Sequence, residues 1–501
     1  MSEMTALTGL NQRVWYVEGG VHPSRSPSML PMSKIGDPSH TIGEDTKITA
    51  PDPNNFRRDV QVGTIEGSEE RASFSLQTRY TGNRDTLLDW KNKKCRVDIF
   101  VLSGRCGNPQ DFSEGGEKWL YFPDGRISSH GFENLGGFGK DENSATNGSV
   151  DMTSEDYYEL LKMNQEQIGS ASTVRRIYTV DVYPGDTCED CPNVCDRVLA
   201  TMAGSGATPG TQPVLLFSSD GGENWSTQTI SSMFSNEVIA DGVVIGGDIV
   251  YIGNTAPEMH YTGIEDLYVN TNTWGQTVTG FVAGKLLNAI TSADARHSWI
   301  AAEGGYIYFV KNHKVQAEVQ DAGIATTQNL NAIHALDADN VLAVGNSAAL
   351  VYTTNGGATW QSVTVAGAFA GVNLGACWMW SEDTWLVGEG AGGNGKVWLT
   401  TNSGYSWTAV GLPATYTRIY KIKFVSEAEG YMIASDGSRS YVLRTITAGN
   451  EWDVMPQGKT STYVNNTYLT DVDGCSKYSN TAYAAGLASN GTAGIILKMT
   501  A

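Results

Sequence analysis

The chain offers few groups spaced for chemistry. CEDCPNVC places Cys188, Cys191 and Cys195 in one loop. Thiolates at that spacing can hold zinc, which wants four ligands. Asp190, Asp196 or a distant residue would have to complete the set, because no second CxxC exists. The same thiols can form a loop disulfide after cell lysis or stay free, so no resident metal or other cofactor is expected. Cys95 and Cys106 flank VDIFVLSGR and can meet across a hairpin if their Cα atoms come within ~7 Å. DADN (337–340) and DVDG (471–474) can bind calcium weakly through oxygens, although as tight turns they need no ion. The seven His, at 22, 40, 130, 260, 297, 313 and 334, form no HxH or HExxH. GGFGK, within residues 129–143, lacks the strand–loop–helix setting of a phosphate loop and reads as a mobile surface loop.

One polar arrangement recurs. SSDGGENW (218–225), TTNGGATW (353–360) and TTNSGYSW (400–407) share a hydroxyl, a short acceptor, a Gly and a Trp. A weaker copy, TITAGNEW, ends at Trp452, and a clipped one, NTNTW, ends at Trp274. Taken from Trp225, the Trp residues are spaced 49, 86, 47 and 45 apart. The double step places a lost turn near residue 317, where YIYFVKNHKVQAEV alternates like two strands and a turn. A strand-rich period of about 40 to 50 residues indicates propeller blades. Seven are expected, at 196–234, 235–281, 284–322, 328–366, 372–413, 418–457 and 464–501. Runs such as NVLAVGNSA (340–348) and DTWLVGEGA (383–391) read as the inner strands, with small residues at a crowded centre. RRIYTVDVYP (175–184) is expected to add the missing outer strand of the last blade, leaving no sheet edge open.

The repeated octapeptide resembles the Asp-box turn of sialidases and of many propellers without enzymatic activity. Ser218, Asp220, Gly222 and Trp225 match it fully. Thr353, Asn355, Gly357 and Trp360 match with Asn for Asp, as do Thr400, Asn402, Gly404 and Trp407. Thr447 takes that place ahead of Gly449 and Trp452. A short acceptor can bond backbone N–H groups of its own turn, Gly permits positive φ, and Trp buries its ring between strands. Tolerance of Asn and Thr fits an acceptor rather than a catalytic acid, so a structural turn is expected. Resemblance to sialidases would further require an arginine triad, a Tyr–Glu pair and an acid Asp. Residues 196–501 hold five Arg (197, 296, 418, 439, 444), and the nearest echo of the family's arginine motif, YTRIY (416–420), falls in the sixth blade. No catalytic residues and no enzyme are therefore expected; a glycosidase would need paired carboxylates ~5–9.5 Å apart in a pocket.

Residues 1–172 carry none of these turns. RASFSLQTRY (71–80) and KCRVDIFVLSGRC (94–106) alternate as half-buried strands. KWLYFPDGRISSHGFENLG (118–136) reads as two strands around a Pro-Asp-Gly turn. TSEDYYELLKMNQEQIG (153–169) reads either as a short capped helix or, at DYYELL, as a strand. Residues 19–56 are Pro- and Ser-rich with little periodicity and read as a long arm or loop, either loose or ordered against a neighbouring subunit. The segments SFSLQTRYTGNRDTLLDWKNKKCRVDIFVLSGRCGNPQDF and KWLYFPDGRISSHGFENLG, with that early loop, resemble the major tail tube proteins of tailed bacteriophages. The resemblance covers about residues 1–170. It implies a β-sandwich or barrel whose sheets join those of neighbours into rings, with rings stacking into a conduit for DNA.

At 501 residues and a formal charge of −20, both halves are acidic, −7 over 1–172 and −13 over 173–501. That excludes a basic surface built to grip nucleic acid, while an acidic lumen lets DNA pass without binding. No charged n-region precedes an apolar stretch at the N-terminus, and no apolar run approaches the ~20 residues of a membrane span. The expected protein is all-β, with a tail-tube-like domain over 1–172 and a seven-bladed propeller over 173–501. It is expected to be made in a host cytoplasm and to reside in a virion tail as a ring-forming homo-oligomer. Viral DNA is expected in the lumen, and the propeller is left free for a host-surface glycan or protein. An adhesin merely anchored by its N-terminal domain is the alternative.

Overall fold

In the computed structural model the residues described are 12–19, 28–30, 33–35, 39–42, 46–52, 55–65, 70–79, 90, 92–93, 96–103, 118–132, 147–154, 158–161 and 164–168. Beyond these it describes 176–183, 197–202, 214–229, 239–245, 247–253, 256–264, 276–365, 369–455, 468–474, 481–487 and 494–500. All regular elements among them are strands, apart from isolated helical turns. They form two compact units, which divide near residue 162.

The N-terminal unit is built from β1 (Gln12–Glu18), β2 (Ser28–Leu30), β3 (Ser33–Ile35), β4 (Ser39–Ile42), β5 (Thr46–Asp52), β6 (Asn55–Ile65), β7 (Glu70–Arg79), β8 (Val97–Ser103), β9 (Lys118–Phe132), β10 (Asn147–Ser154) and β11 (Tyr158–Leu161). Nine of these form one antiparallel sheet, in the order β2-β1-β8-β9-β10-β7-β3, with β11 also on β9 and β4 also on β7. β5 and β6 form a separate hairpin. Half of the segment 19–56, read from sequence as an arm either loose or ordered against a neighbouring subunit, is strand. Its Pro and Ser residues broke the period-2 pattern without preventing backbone pairing.

β9 runs unbroken through Pro123-Asp124-Gly125, so the expected turn is a bulge. The register with β8 slips between Val97↔Gly125 and Ile99↔Phe122, and Asp124 takes a φ of 50°. The Asp124 N–H donates to Asp98 Oδ1 at 2.8 Å, and a Cβ on Gly125 would stand 2.8 Å from the Val97 carbonyl oxygen. The bulge lets one strand pair with β8 and β11 on its first half and with β10 on its second. β8 is central, so Asp98 and Phe100 are buried along with Val97, Ile99 and Val101.

The described residues of the stretch 153–169 form no helix. They are the end of β10, then β11, then β12 (Asn164–Ile168), and each pairs with a neighbouring strand; strand pairing overrides the local helix preference.

The second unit contains seven four-stranded antiparallel sheets among the described residues. The innermost strands of blades 1 to 7 are Ile177–Tyr183, Ile239–Ile245, Leu287–Asp294, Leu330–Ala335, Leu374–Met379, Arg418–Phe424 and Tyr468–Gly474. The runs expected there, at 340–348 and 383–391, instead contain the second strands of their blades. Asn340–Gly345 is buried at all six positions because it lies between two strands of its own sheet and two neighbouring blades. Seven apolar clusters hold the blades in sequence.

Ring closure differs from the sequence expectation. Residues 177–183 are the inner strand of blade 1, whereas β12 forms the outer strand of blade 7. Its register on Gly494–Thr500 runs from Asn164↔Thr500 to Ile168↔Ile496. The alternation at 175–184 was read correctly as a strand. Its residues lie deeper than an outer strand, with Ile177 and Val180 buried to within 1%.

Candidate functional site

Each repeated turn is closed by its own side chains. Ser218 Oγ donates to Asp220 Oδ1 at 2.8 Å and accepts from the Gly222 N–H at 2.8 Å. Asp220 also accepts from the Asn224 N–H at 2.9 Å and from Asn224 Nδ2 at 2.7 Å, and Trp225 Nε1 donates to the Gly222 carbonyl at 2.9 Å. These bonds hold the exposed Asp220 carboxyl down at about 2. The same geometry recurs with Asn: Thr353 Oγ1 to Asn355 Oδ1 at 2.9 Å, and Thr400 Oγ1 to Asn402 Oδ1 at 2.9 Å. The Thr359 and Ser406 N–H groups donate back to those amide oxygens. In the fourth copy Thr447 Oγ1 accepts from the Glu451 N–H at 2.9 Å. Gly222, Gly357, Gly404 and Gly449 all sit at φ between 80° and 88°, a region a side chain resists. At Gly357 an added Cβ would also overlap Gln320, which bonds Trp299 and the Gly356 carbonyl and so ties blade 3 to blade 4.

The side-chain acceptors of these turns are spent within the turns themselves. Where the turn is lost, in blade 3, Asn312 and His313 take positive φ, and His313 Nε2 and Lys314 Nζ reach Asp248 of blade 2 at 2.7 and 2.6 Å. Trp274, Cys95, Cys106, Cys188, Cys191 and Cys195 lie outside the described residues, as do residues 133–143. No group of three or more His, Cys, Asp or Glu among the described residues is placed to hold a metal ion.

The central channel holds the chemistry that the motifs missed. A cavity of about 820 Å³ is lined by the inner strands of all seven blades. Each inner strand carries a β-bulge at the same place. The bulged residues are Tyr178, Ala240, Asn288, Asn331, Gly375, Tyr420 and Thr470. Two and four residues past the last regular pair, polar side chains reach the backbone of the next blade. Asp471 Oδ2 accepts from the Val180 N–H and Asp473 Oδ2 from the Val182 N–H, both at 2.9 Å. Asp241 Oδ2 accepts from Ile290 at 3.0 Å, Thr291 Oγ1 from Ala335 at 3.1 Å and His334 Nδ1 from Met379 at 3.2 Å.

Blade 6 supplies the opposite charge. Lys421 Nζ lies 3.1 Å from Asp241 and 3.4 Å from Asp471, and Lys423 Nζ lies 3.0 Å from Asp473. Lys421 thus joins blades 6, 7 and 2. Burial pulls the Lys421 ammonium down, but the Asp241 and Asp471 carboxylates outweigh it and hold its pKa above the ordinary lysine value. Burial, then the charges of Asp473, Asp471 and Asp241, push the Asp181 carboxyl well above the usual range, and its Oδ2 finds no hydrogen-bond partner. Burial, and then the Lys423 charge, lower His334 to about 3, so the ring is neutral and accepts at Nδ1, with its centroid 3.8 Å from that of the tilted Trp378 ring.

DVDG, read from sequence as a turn, is therefore channel-lining strand, and its oxygens hold N–H groups and lysines. DADN is a turn: Asp337 Oδ1 accepts from the Asp339 and Asn340 N–H groups at 2.8 Å each. The signal that could have found the channel cluster is the pairing of K-x-K in RIYKIKF with D-x-D in TDVDG, both at inner-strand positions.

No protein-family model matches the chain, and no curated protein is similar to it by sequence. Solved structures are similar in fold. A catalytically inactive virginiamycin B lyase from Staphylococcus aureus, solved with quinupristin, is 11% identical, with 68% of this chain and 100% of that one covered and a TM-score of 0.50. YCF48 from Cyanidioschyzon merolae is 14% identical over 67% of this chain and 98% of that one, with a TM-score of 0.47. The WD40 repeats of RRP9 are 7% identical over 67% and 97%, with a TM-score of 0.49. The chain is an all-β protein whose larger unit is a multi-bladed β-propeller. A likeness at 11% identity shows the fold alone and leaves the activity open.

Proposed function

We propose that the protein is a structural component of a virion tail. Residues 1–162 assemble into rings that stack as a DNA conduit, and the propeller decorates the outside. The observation that carries this reading is the hairpin of β5 and β6, residues 46–65, whose strands pair with each other and with no other described strand. A long hairpin with open edges is suited to pairing with a neighbouring copy. The propeller is closed by its own strand β12 and needs nothing from the ring to complete its sheets. The acidic balance of residues 1–172 suits a lumen that must not hold DNA.

A non-enzymatic propeller fits the channel. Asp241, Asp471 and Asp473 are each committed to a lysine and to a backbone N–H, which leaves no free pair of carboxylates among them. The recurrent turn is read as an Asp-box with a purely structural role, since its acceptors bond groups of their own turn.

Negative-stain imaging of purified protein tests the assembly. Rings or tubes are expected from the full chain, and a variant lacking residues 46–65 should give folded, unassembled particles. Tubes of normal length from that variant, or monomers from the full chain, would remove the conduit reading.

A further inference from the structure

Blades 1 and 6 carry the same tripeptide at the same place: Arg176-Ile177-Tyr178 and Arg418-Ile419-Tyr420. In both, the Ile is fully buried and the Tyr is the bulged residue, so the bulge re-aims the ring toward the mouth of the channel. Each ring carries its own guanidinium, at 4.4 Å from the Tyr420 centroid for Arg418 and 5.4 Å from the Tyr178 centroid for Arg176. Blade 7 lies between them, and its residue at the arginine level is Tyr468, which remains 39% exposed. Neither arginine has an acidic partner among the described residues, although the chain carries 54 acidic side chains against 34 basic ones.

A guanidinium laid on an aromatic ring keeps its planar fork open along its edge. That fork matches a carboxylate in a two-bond geometry, which a lysine cannot offer. Two such forks at one channel suit carboxylates carried on a sugar chain, and Tyr468, exposed at the arginine level of the blade between them, offers a ring on which the apolar face of a pyranose can lie. We propose that this mouth of the channel binds an acidic saccharide, its carboxylates held by Arg176 and Arg418 and a sugar ring resting on Tyr468. The site stands apart from the tube reading, because assembly is seen by imaging and this binding by titration.

The test is calorimetric titration of the full-length protein with a galacturonic acid tetramer, with maltotetraose as the neutral counterpart. Saturable binding of the acidic tetramer alone is expected. Arg176→Gln and Arg418→Gln should each weaken it about tenfold or more, the range for a lost charge-assisted bond. Arg418→Lys should restore only part of the affinity. Tyr468→Ala, at an exposed position, should weaken binding several-fold with an unchanged melting temperature. No saturable binding, binding indifferent to both arginine variants, or equal binding of the neutral sugar would overturn the site. A tetraglutamate peptide that binds more tightly, or inorganic phosphate that displaces the saccharide at equal concentration, would overturn the saccharide assignment.

Discussion

Strand β12 offers a direct test of how the propeller is held shut. A fragment of residues 163–501 keeps this strand, and a fragment of 173–501 lacks it while keeping every strand of blades 1 to 6. The register shows five paired residues lost. At roughly one backbone bond per paired residue and about 1 kcal/mol net for each, the loss is about 5 kcal/mol. For a body of roughly 330 residues the unfolding entropy is about 0.7 kcal/mol per kelvin, so the melting temperature should fall by about 7 °C. The exposed edge of Gly494–Thr500 should also recruit other copies, making the shorter fragment's transition depend on concentration. Circular dichroism melts at several concentrations, with light scattering, read both effects. If the two fragments melt within about 1 °C of each other and both stay monomeric, β12 does not close the ring and the argument fails.

Other expectations follow from single side chains. Asp220→Asn should leave the melting temperature nearly unchanged at neutral pH, since the amide oxygens of Asn355 and Asn402 accept the same backbone N–H; a carboxyl resonance titrating near 2 in the parent protein would confirm the geometry. Trp452→Ala should cost about 3–5 kcal/mol in urea unfolding, because its ring is 4% exposed and bonded to the Gly449 carbonyl. Trp360→Ala should cost less, since Trp360 is only half-buried and its Nε1 is unpartnered. His334 is neutral in the fold down to about pH 3, whereas the unfolded chain takes up that proton near pH 6.5. Its contribution to stability is therefore complete above about pH 6.5 and is lost progressively between there and about pH 3. His334→Gln should flatten stability against pH in that window, and an unchanged slope would show that the imidazole titrates freely.

The parts legible in the sequence are those written locally. SSDGGENW and its copies fold on themselves within eight residues, so the turn, its Trp and the blade period could be read from the chain. NQEQI, the closing strand, has no apolar face to announce it, and its partner lies more than 300 residues away. The inner strands were displaced by one in the reading for a related reason. Buried apolar runs such as NVLAVG stood out, whereas LNAIHA and RIYKIKF, which face a polar channel, resembled outer strands. In the N-terminal unit, KWLYFPDGRISSHGF contains every signal of a hairpin turn. Only the pairing of β9 with β8, β11 and β10 turns Asp124 and Gly125 into a bulge. The channel ion pairs become legible only once K-x-K and D-x-D are known to sit on inner strands, because Lys421 meets Asp241 across 180 residues.

That last pairing says something about where a propeller needs polar groups. Six of the seven blade contacts join neighbours in the chain, and a short connection limits how they can slide. The contact of blade 7 with blade 1 joins the two ends of the repeat, and its apolar cluster of Ile177, Val180, Val198 and Leu216 against Tyr483, Ala485 and Ile496 would tolerate a slip of two residues. The bonds at this seam would not. Asp471 and Asp473 each fit one N–H on the facing strand, and Tyr483 Oη donates to the Gly221 carbonyl at 2.9 Å. A shift of two residues would bring one carboxylate to the N–H that the other now holds, carry the second past the pair and break the Tyr483 bond, at a cost of about 1–3 kcal/mol for each buried group left without a partner. Lys421 and Lys423 neutralise the carboxylates gathered there, with Lys421 carrying the tie across the channel to blade 2. Burying ion pairs adds little net stability, because desolvation offsets the attraction. Fixing the register of one non-sequential seam is a use in which that weakness does not matter. It accounts for charges concentrated on blades 6, 7, 1 and 2 while the inner strands of blades 3 to 5 present Ala289, Ala332, Ala376 and Trp378.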